Sequence, residues 1–266
     1  MHNELTIAMA QLEITPDPVA NLGKAEFFAR QAASQGADMI VFPEMFMGQP
    51  NPDCPPAKII EKDKGAFVEG LKVLALETEL TVTAGCWEAS QDSQRAYNTI
   101  YTFSPAGKII AAYRKIHLFD ALSVRESDLM MPGDGLPPVI DIAGIRVGFA
   151  ICYDLRFPEL FRYLAGQGAQ LIIVPSAWYQ GPMKEAHWLT LLRARAIENT
   201  LYVAGCNLIG PSFCGRSSLF DPFGVPLASA GEVEALLIGK IGIDRMDAVR
   251  QKLPSLKNRR DDLFPA

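Results

Sequence analysis

Apolar and polar positions alternate with a strand-like period of two from residue 5 to 12. Residues 21–34 switch to helical spacing, with Ala25, Phe28, Ala29 and Ala32 on one face, and the pattern stops at Gly36. A short apolar run over 38–42 predicts the next strand, so the chain opens as strand, helix, strand. Residues 66–78 read as a helix and 80–87 as extended. Residues 99–103 and 108–113 form the arms of a hairpin around Ser104-Pro105-Ala106-Gly107.

The same order returns in the second half: a strand running up to Cys152, a helix over 158–166, a strand over 171–174, a helix over 182–199 and a strand over 201–206. Another hairpin, 217–220 and 225–229, turns at Asp221-Pro222-Phe223-Gly224, and a last strand over 235–243 precedes a helix over 244–253. Gly36-Ala37-Asp38-Met39-Ile40-Val41-Phe42-Pro43-Glu44 aligns with Gly168-Ala169-Gln170-Leu171-Ile172-Ile173-Val174-Pro175-Ser176, so Ser176 is the counterpart of Glu44. This repetition predicts an α/β chain with pseudo-twofold symmetry: a four-layer α-β-β-α sandwich with two mixed central sheets face to face. One domain over 1–266 is expected, with 254–266 as a C-terminal tail that is either frayed or laid on a partner subunit. Residues 48–56, 119–135 and 178–183 lack a period and are rich in Pro, Gly and polar residues, as befits the rims of a pocket.

Three polar residues end apolar runs, where α/β proteins gather functional groups: Glu44 after 39–43, Lys115 after 109–114 and Cys152 after 145–151. A thiol at a strand end beside a helix N-terminus meets oriented N–H groups, which favour a thiolate and a neighbouring oxyanion. A carboxylate, an ammonium and a thiol brought together form a set suited to acyl transfer, because the thiol needs a base and the oxyanion a positive donor.

Composition narrows the classes. The 266 residues are 49% hydrophobic, enough for a sizeable core. A formal net charge of −5, with basic residues spread along the chain, argues against a nucleic-acid groove or an anionic membrane surface. No signal-peptide order opens the chain and no apolar stretch is long enough to span a bilayer. Cys54, Cys86, Cys152, Cys206 and Cys214 are an odd set without C-x-x-C spacing, read as a reduced, cytoplasmic protein. His2, His117 and His187 are too few and too scattered for a metal site, and no Gly-rich phosphate loop follows a strand, so neither metal nor cofactor is expected.

The chain resembles the nitrilase superfamily of carbon–nitrogen hydrolases over residues 5–264. The resemblance rests on Phe42-Pro43-Glu44, Tyr113-Arg114-Lys115-Ile116-His117-Leu118 and Gly148-Phe149-Ala150-Ile151-Cys152-Tyr153-Asp154-Leu155-Arg156-Phe157-Pro158-Glu159, with further similarity at Pro175-Ser176-Ala177 and His187-Trp188. It implies Cys152 as nucleophile, Glu44 as general base, and Lys115 with the Tyr153 N–H as oxyanion donors. It also implies Glu126 as a second glutamate positioning substrate and Lys115. Tyr153, Arg156, Ser176 and Trp178 are expected on the substrate and oxyanion side. The run after the cysteine is similar to that of amidases acting on omega-amides and deaminated glutathione, whereas residues 178–185 depart from their Thr-Gly-Pro-Ala run. The implied activity is hydrolysis of a terminal carboxamide on a small polar acid, with ammonia released, by a homodimer or higher homo-oligomer.

Other readings stand beside this one. An N-carbamoyl-amine hydrolase, an aliphatic amidase or a nitrilase would use the same three residues, and a binding or scaffold protein would keep only the fold. His117, two residues from Lys115, offers a Cys-His alternative, while His187 reads as packing near the pocket rim. Arg193, Arg195 and Glu198 read as an ion-paired helix face, and the four other cysteines as structural.

Overall fold

The first strand is buried on both sides. Leu5, Ile7 and Met9 enter one apolar cluster while Ala8, Ala10 and Leu12 enter another, the signature of a strand inside a layered protein. In the computed structural model, which describes residues 3–260 and 262–263, this strand is β1 (Glu4–Gln11). It is followed by α1 (Pro18–Ser34), β2 (Met39–Val41), α2 (Pro56–Asp63), α3 (Ala66–Thr78), β3 (Thr81–Ala89), β4 (Ala96–Phe103) and β5 (Ile109–Arg114). Three short strands, β6 (Asp120–Ala121), β7 (Val124–Arg125) and β8 (Met130–Met131), flank a single 3₁₀ turn at Glu126–Asp128. The second half holds β9 (Val139–Ile142), β10 (Ile145–Phe149), α4 (Pro158–Gly166), β11 (Leu171–Ser176), α5 (Lys184–Asn199) and β12 (Tyr202–Asn207). It ends with β13 (Ser218–Phe220), β14 (Pro226–Ser229), β15 (Ala235–Gly242) and α6 (Ile243–Lys252).

Two mixed sheets carry the fold, with strand orders β15-β1-β2-β3-β4-β5 and β9-β10-β11-β12-β13-β14. The orders correspond strand for strand. Each has a parallel trio in the middle, an antiparallel strand before it and an antiparallel pair after it. The symmetry is completed unequally: β9 precedes its trio directly, whereas β15 returns from the far end of the chain to pair with β1 from Glu4↔Gly242 to Gln11↔Ala235.

Between the sheets lies a core of Ile7, Met9 and Val41 against residues of β10, β11 and β12. The outer face of the first sheet is covered by Phe28 and Ala32 of α1 and by Leu71 and Ala75 of α3. The outer face of the second is covered by Phe161 and Leu164 of α4 and by Trp188 and Leu192 of α5. The four layers expected from the repeat are therefore present.

Several local expectations need correction. The strand leading to Cys152 ends at Phe149, and Cys152 heads a 3₁₀ turn, Cys152–Arg156, before α4. The helix expected from 182 begins at Lys184, because Gly181 at φ 134° and Met183 at φ 60° turn the chain through left-handed backbone first. Helix α2 was not anticipated, being only 8 residues long with Ile59 as its deepest apolar anchor. The 119–135 segment carries β6, β7, the Glu126 turn and β8 in place of an unstructured loop. Of the expected tail, Asp261, Phe264, Pro265 and Ala266 lie outside the described residues, as do Met1 and His2.

Candidate active site

Glu44 leaves β2 through Phe42 and Pro43 and is 1% exposed. Its backbone lies directly on β3 at Gly85, where a Cβ would stand 2.6 Å from the Pro43 carbonyl oxygen and 2.7 Å from the Glu44 Cα. Glycine at 85 thus permits the close approach that sinks the carboxylate. A buried carboxylate needs donors. Glu44 Oε1 accepts from Asn98 Nδ2 at 2.7 Å and Lys115 Nζ at 2.9 Å, and Oε2 accepts from the Ala177 N–H at 2.7 Å.

Lys115 follows the last residue of β5 and is fully buried. Its N–H donates to Asn98 O at 2.9 Å and its carbonyl accepts from Gly133 N at 2.8 Å, which fixes the backbone on both sides. The ammonium reaches Glu126 Oε1 at 2.9 Å and Oε2 at 2.8 Å as well as Glu44. Burial alone would push the lysine pKa down. The charges of Glu126 and Glu44, then of Cys152, outweigh burial and hold it well above the ordinary value, so the cation is secure. Glu126 is in turn fixed by the Phe119 N–H, which donates to its Oε2 at 2.7 Å.

Cys152 sits at φ 44°, a left-handed backbone that a non-glycine residue adopts at a cost of about 1–3 kcal/mol and that recurs at functional sites. The turn behind it is pinned by Asp154. Its Oδ2 accepts from Ile151 N at 2.9 Å and the Tyr113 hydroxyl at 2.8 Å, while Oδ1 accepts from His117 N at 3.3 Å and lies 2.7 Å from His117 Nδ1. Tyr153 is the second residue of the turn. The 3₁₀ bonding there starts at Asp154 N to Ile151 O, which leaves the Tyr153 N–H without an acceptor inside the turn and available to an oxyanion.

The thiol itself does not follow the sequence expectation of a stabilised thiolate. Burial first, then the Glu44 charge, raise the Cys152 pKa well above the ordinary range; Lys115 opposes this and does not prevail. Burial and the adjacent Glu44 carboxylate thus favour the thiol over the thiolate, so a nucleophilic role would need a base to take its proton.

A cavity of about 340 Å³, including its part open to solvent, has Cys152 and Glu126 in its lining. Phe119, Tyr153, Trp178 and Tyr179 form aromatic walls, and Arg156 and Lys184 also line it. Of the residues expected from sequence, Glu44, Lys115, Glu126 and Cys152 come together at the base of this space, and Tyr153, Arg156 and Trp178 line it. Ser176 does not: it is fully buried and donates its hydroxyl to the Val174 carbonyl at 3.2 Å. The neighbouring Ala177 N–H makes the contact at that point, so the repeat identified the place and not the group. His117 is bound to Asp154 and stacked on Phe157 with ring centroids 3.6 Å apart, away from a Cys-His pairing.

Sequence reasoning missed Asn98, Asp154 and Lys184. Asn98 lies in the interior of β4 and Lys184 at the start of a helix, with no local pattern to mark either. The order Cys152-Tyr153-Asp154 could have marked Asp154, since a carboxylate two residues past a strained turn is placed to accept backbone N–H groups. Among the described residues, no cluster of three or more His, Cys, Asp or Glu side chains is arranged to hold a metal ion, and no helix is long and apolar enough to cross a membrane.

Comparison with known proteins agrees with this arrangement. The family model described as carbon-nitrogen hydrolase matches residues 6–251. The chain is 35% identical over 257 residues to the deaminated glutathione amidase of Escherichia coli O157:H7, covering 96% of this chain and 97% of that protein. It is 34% identical over 270 residues to human omega-amidase NIT2, with 97% and 96% covered. Among solved structures, a mutant of the amidase from Nesterenkonia sp. AN1, showing covalent addition of the acetamide moiety of fluoroacetamide at its active-site cysteine, superposes with a TM-score of 0.84. That pair shares 27% identity over 99% of this chain and 97% of the other. With its layered fold, buried Glu-Lys-Glu cluster and adjacent cysteine, the chain belongs to the carbon–nitrogen hydrolase family of the nitrilase superfamily.

Proposed function

We propose that the protein is a thiol amidohydrolase that cleaves the terminal carboxamide of a small polar acid, of the 2-oxoglutaramate or deaminated glutathione type, through an acyl-enzyme on Cys152. The observation that carries this reading is the Glu44–Lys115–Glu126 network beside Cys152, with Glu126 and Cys152 lining one cavity. The relatives named for amidase activity, and the acetamide adduct on the Nesterenkonia cysteine, support it.

The Cys152 proton passes to Glu44 as sulfur attacks the amide carbon. Negative charge then develops on the carbonyl oxygen, where Lys115 Nζ and the Tyr153 N–H stand as donors. Glu44 returns the proton to the amide nitrogen, the C–N bond breaks and ammonia leaves. Water, deprotonated by Glu44, attacks the thioester, and the carboxylate and free thiol are regenerated. Glu126 holds Lys115 in place, and Arg156 faces the substrate from the wall. The same reading is of one catalytic domain with a tail over 254–266, working in the cytoplasm as a homodimer without a cofactor.

The test is ammonia release from 2-oxoglutaramate, deaminated glutathione, an N-carbamoyl amine, a simple aliphatic amide and a nitrile, for the native chain and Cys152→Ala. Release from an oxo-acid amide that vanishes in Cys152→Ala is expected. Release confined to the carbamoyl compound would move the protein to that branch, and release that survives Cys152→Ala would sink the nucleophile assignment.

A further inference from the structure

Lys184 occupies a place that its own helix does not favour. It is the first residue of α5, where the unpaired N–H groups and the helix dipole oppose a cation. Its side chain is largely buried, yet among the described residues no carboxylate stands within salt-bridge distance of it, and no acceptor hydrogen-bonds its ammonium. The adjacent Glu185 is engaged elsewhere, with Arg216 at 3.1 Å. Lys184 Nζ instead lies 4.9 Å from the Phe119 ring centroid and 4.8 Å from that of Trp178. Its backbone carbonyl accepts the Trp178 indole N–H at 2.8 Å, so the same residue fixes the ring and caps it.

Arg156 is placed alike. Its guanidinium carbon is 4.8 Å from the Trp178 centroid, and among the described residues its one side-chain hydrogen-bond partner is His187, whose Nδ1 lies 3.4 Å away. Among the described residues Arg156 forms no ion pair: nearby Asp154 is taken by Ile151, Tyr113 and His117. Burial first, and then the charge of Arg156, push the Lys184 pKa down, so the two cations feel each other. The cavity's own carboxylates offer no relief, because Glu44 and Glu126 are bound to Lys115.

Two unpaired cations therefore share one aromatic wall of the cavity that holds Cys152. An anionic group in that space would meet both and remove their mutual repulsion, and a carboxylate accepts charge-assisted hydrogen bonds from each. We propose that Lys184 is a specificity-determining residue which, with Arg156, receives the carboxylate that a substrate carries away from its scissile amide. The enzyme then selects anionic amides over neutral ones of the same length. This inference rests on the amidase reading above and adds to it the group that chooses the substrate.

Calorimetric binding to the Cys152→Ala protein tests it without turnover. Glutaramate, which carries both an amide and a carboxylate, is compared with neutral pentanamide on that protein and on versions that also bear Lys184→Met, Lys184→Gln or Lys184→Arg. Loss of one charge-assisted contact is expected to weaken glutaramate about tenfold or more relative to pentanamide in the Met and Gln proteins. Arg, which keeps the charge, is expected to restore most of that preference. The Gln variant decides if the Met variant folds poorly. Equal weakening of both ligands, unchanged glutaramate affinity, or no glutaramate binding to Cys152→Ala itself would overturn the proposal. Ammonia release from glutaramate by the native chain is measured alongside: charge-selective binding without release would sink the amidase reading and leave the Lys184 subsite standing.

Discussion

The Glu44 carboxylate accepts the Ala177 N–H at 2.7 Å, so a residue three positions past the end of β2 is held by the residue just past the end of β11, its counterpart strand in the other half. The two halves of the fold meet at this bond. Ser176 stands where the repeat would put a second carboxylate, and its hydroxyl is turned away to Val174. A fold of near-equal halves thus carries one buried carboxylate at this position. A second carboxylate beside Glu44 would raise the cost of burying either charge.

Gly85 keeps Glu44 in this position. Because a Cβ there would lie 2.6 Å from the Pro43 oxygen and 2.7 Å from both the Glu44 Cα and the Met45 nitrogen, Gly85→Ala must displace backbone rather than a flexible side chain. The variant is expected to lose about 1–3 kcal/mol of stability and at least about tenfold in kcat, since the base moves with the backbone. Urea unfolding and steady-state kinetics check both parts; full activity in a destabilised protein would break the link between Gly85 and Glu44.

How much of this was legible in the sequence follows from the range of each interaction. Glu44, Lys115 and Cys152 each end an apolar run, a pattern confined to a few neighbours, and all three were found that way. Asn98 is one polar residue within a strand, and its value comes from Glu44, 54 positions earlier. The Cys152 pKa failed for the same reason: the helix-terminus argument counted local N–H groups and left out burial and the carboxylates that other segments bring in. Helix α2 escaped because it is two turns long and held mainly by Ile59 against the core. The left-handed Cys152 has no sequence signal, since a non-glycine residue is held there by its surroundings.

Asp154 gathers the Ile151 N–H, the Tyr113 hydroxyl, the His117 backbone N–H and the His117 ring Nδ1, with its own side chain fully buried. Asp154→Asn turns one acceptor into a donor that faces other donors. The expected loss is about 2–4 kcal/mol in chemical denaturation, because buried N–H groups are left without acceptors. Stability equal to the native chain would show that the network is not what holds the turn.

Buried thiols give the protein a pH dependence on the alkaline side. Cys86, Cys152, Cys206 and Cys214 all have raised pKa values with burial as the first cause, Cys214 being pushed up to about 11. Such groups contribute fully below the pKa of an unfolded thiol, about 9, because neither state then releases the proton. Above it the unfolded chain ionises first, and stability falls by about 1.4 kcal/mol per pH unit for each thiol until its folded pKa is reached. Urea midpoints taken across the alkaline range should decline without a change in slope. Cys152 differs from the others in lying beside the Glu44 carboxylate, the base in the mechanism we propose, and in lining the cavity, so iodoacetamide should label it fastest.

Arg195 reaches the Cys152 turn from α5. Its Nε and one terminal nitrogen donate to the Leu155 carbonyl at 3.1 and 2.8 Å, and its other terminal nitrogen meets Glu198 Oε1 at 3.0 Å. Leu155 belongs to the turn that presents Cys152 and the Tyr153 N–H, so this planar fork sets the turn's position against the helix. Lysine keeps the charge but replaces the fork with a single point donor. Arg195→Lys is therefore expected to cost about 1–2 kcal/mol of stability and to lower kcat about tenfold, with a smaller change in KM, because the wall residues that meet substrate are untouched. A variant with native kcat and reduced stability would assign Arg195 to packing alone, whereas a rise in KM without a fall in kcat would move its influence from the nucleophile to the binding wall.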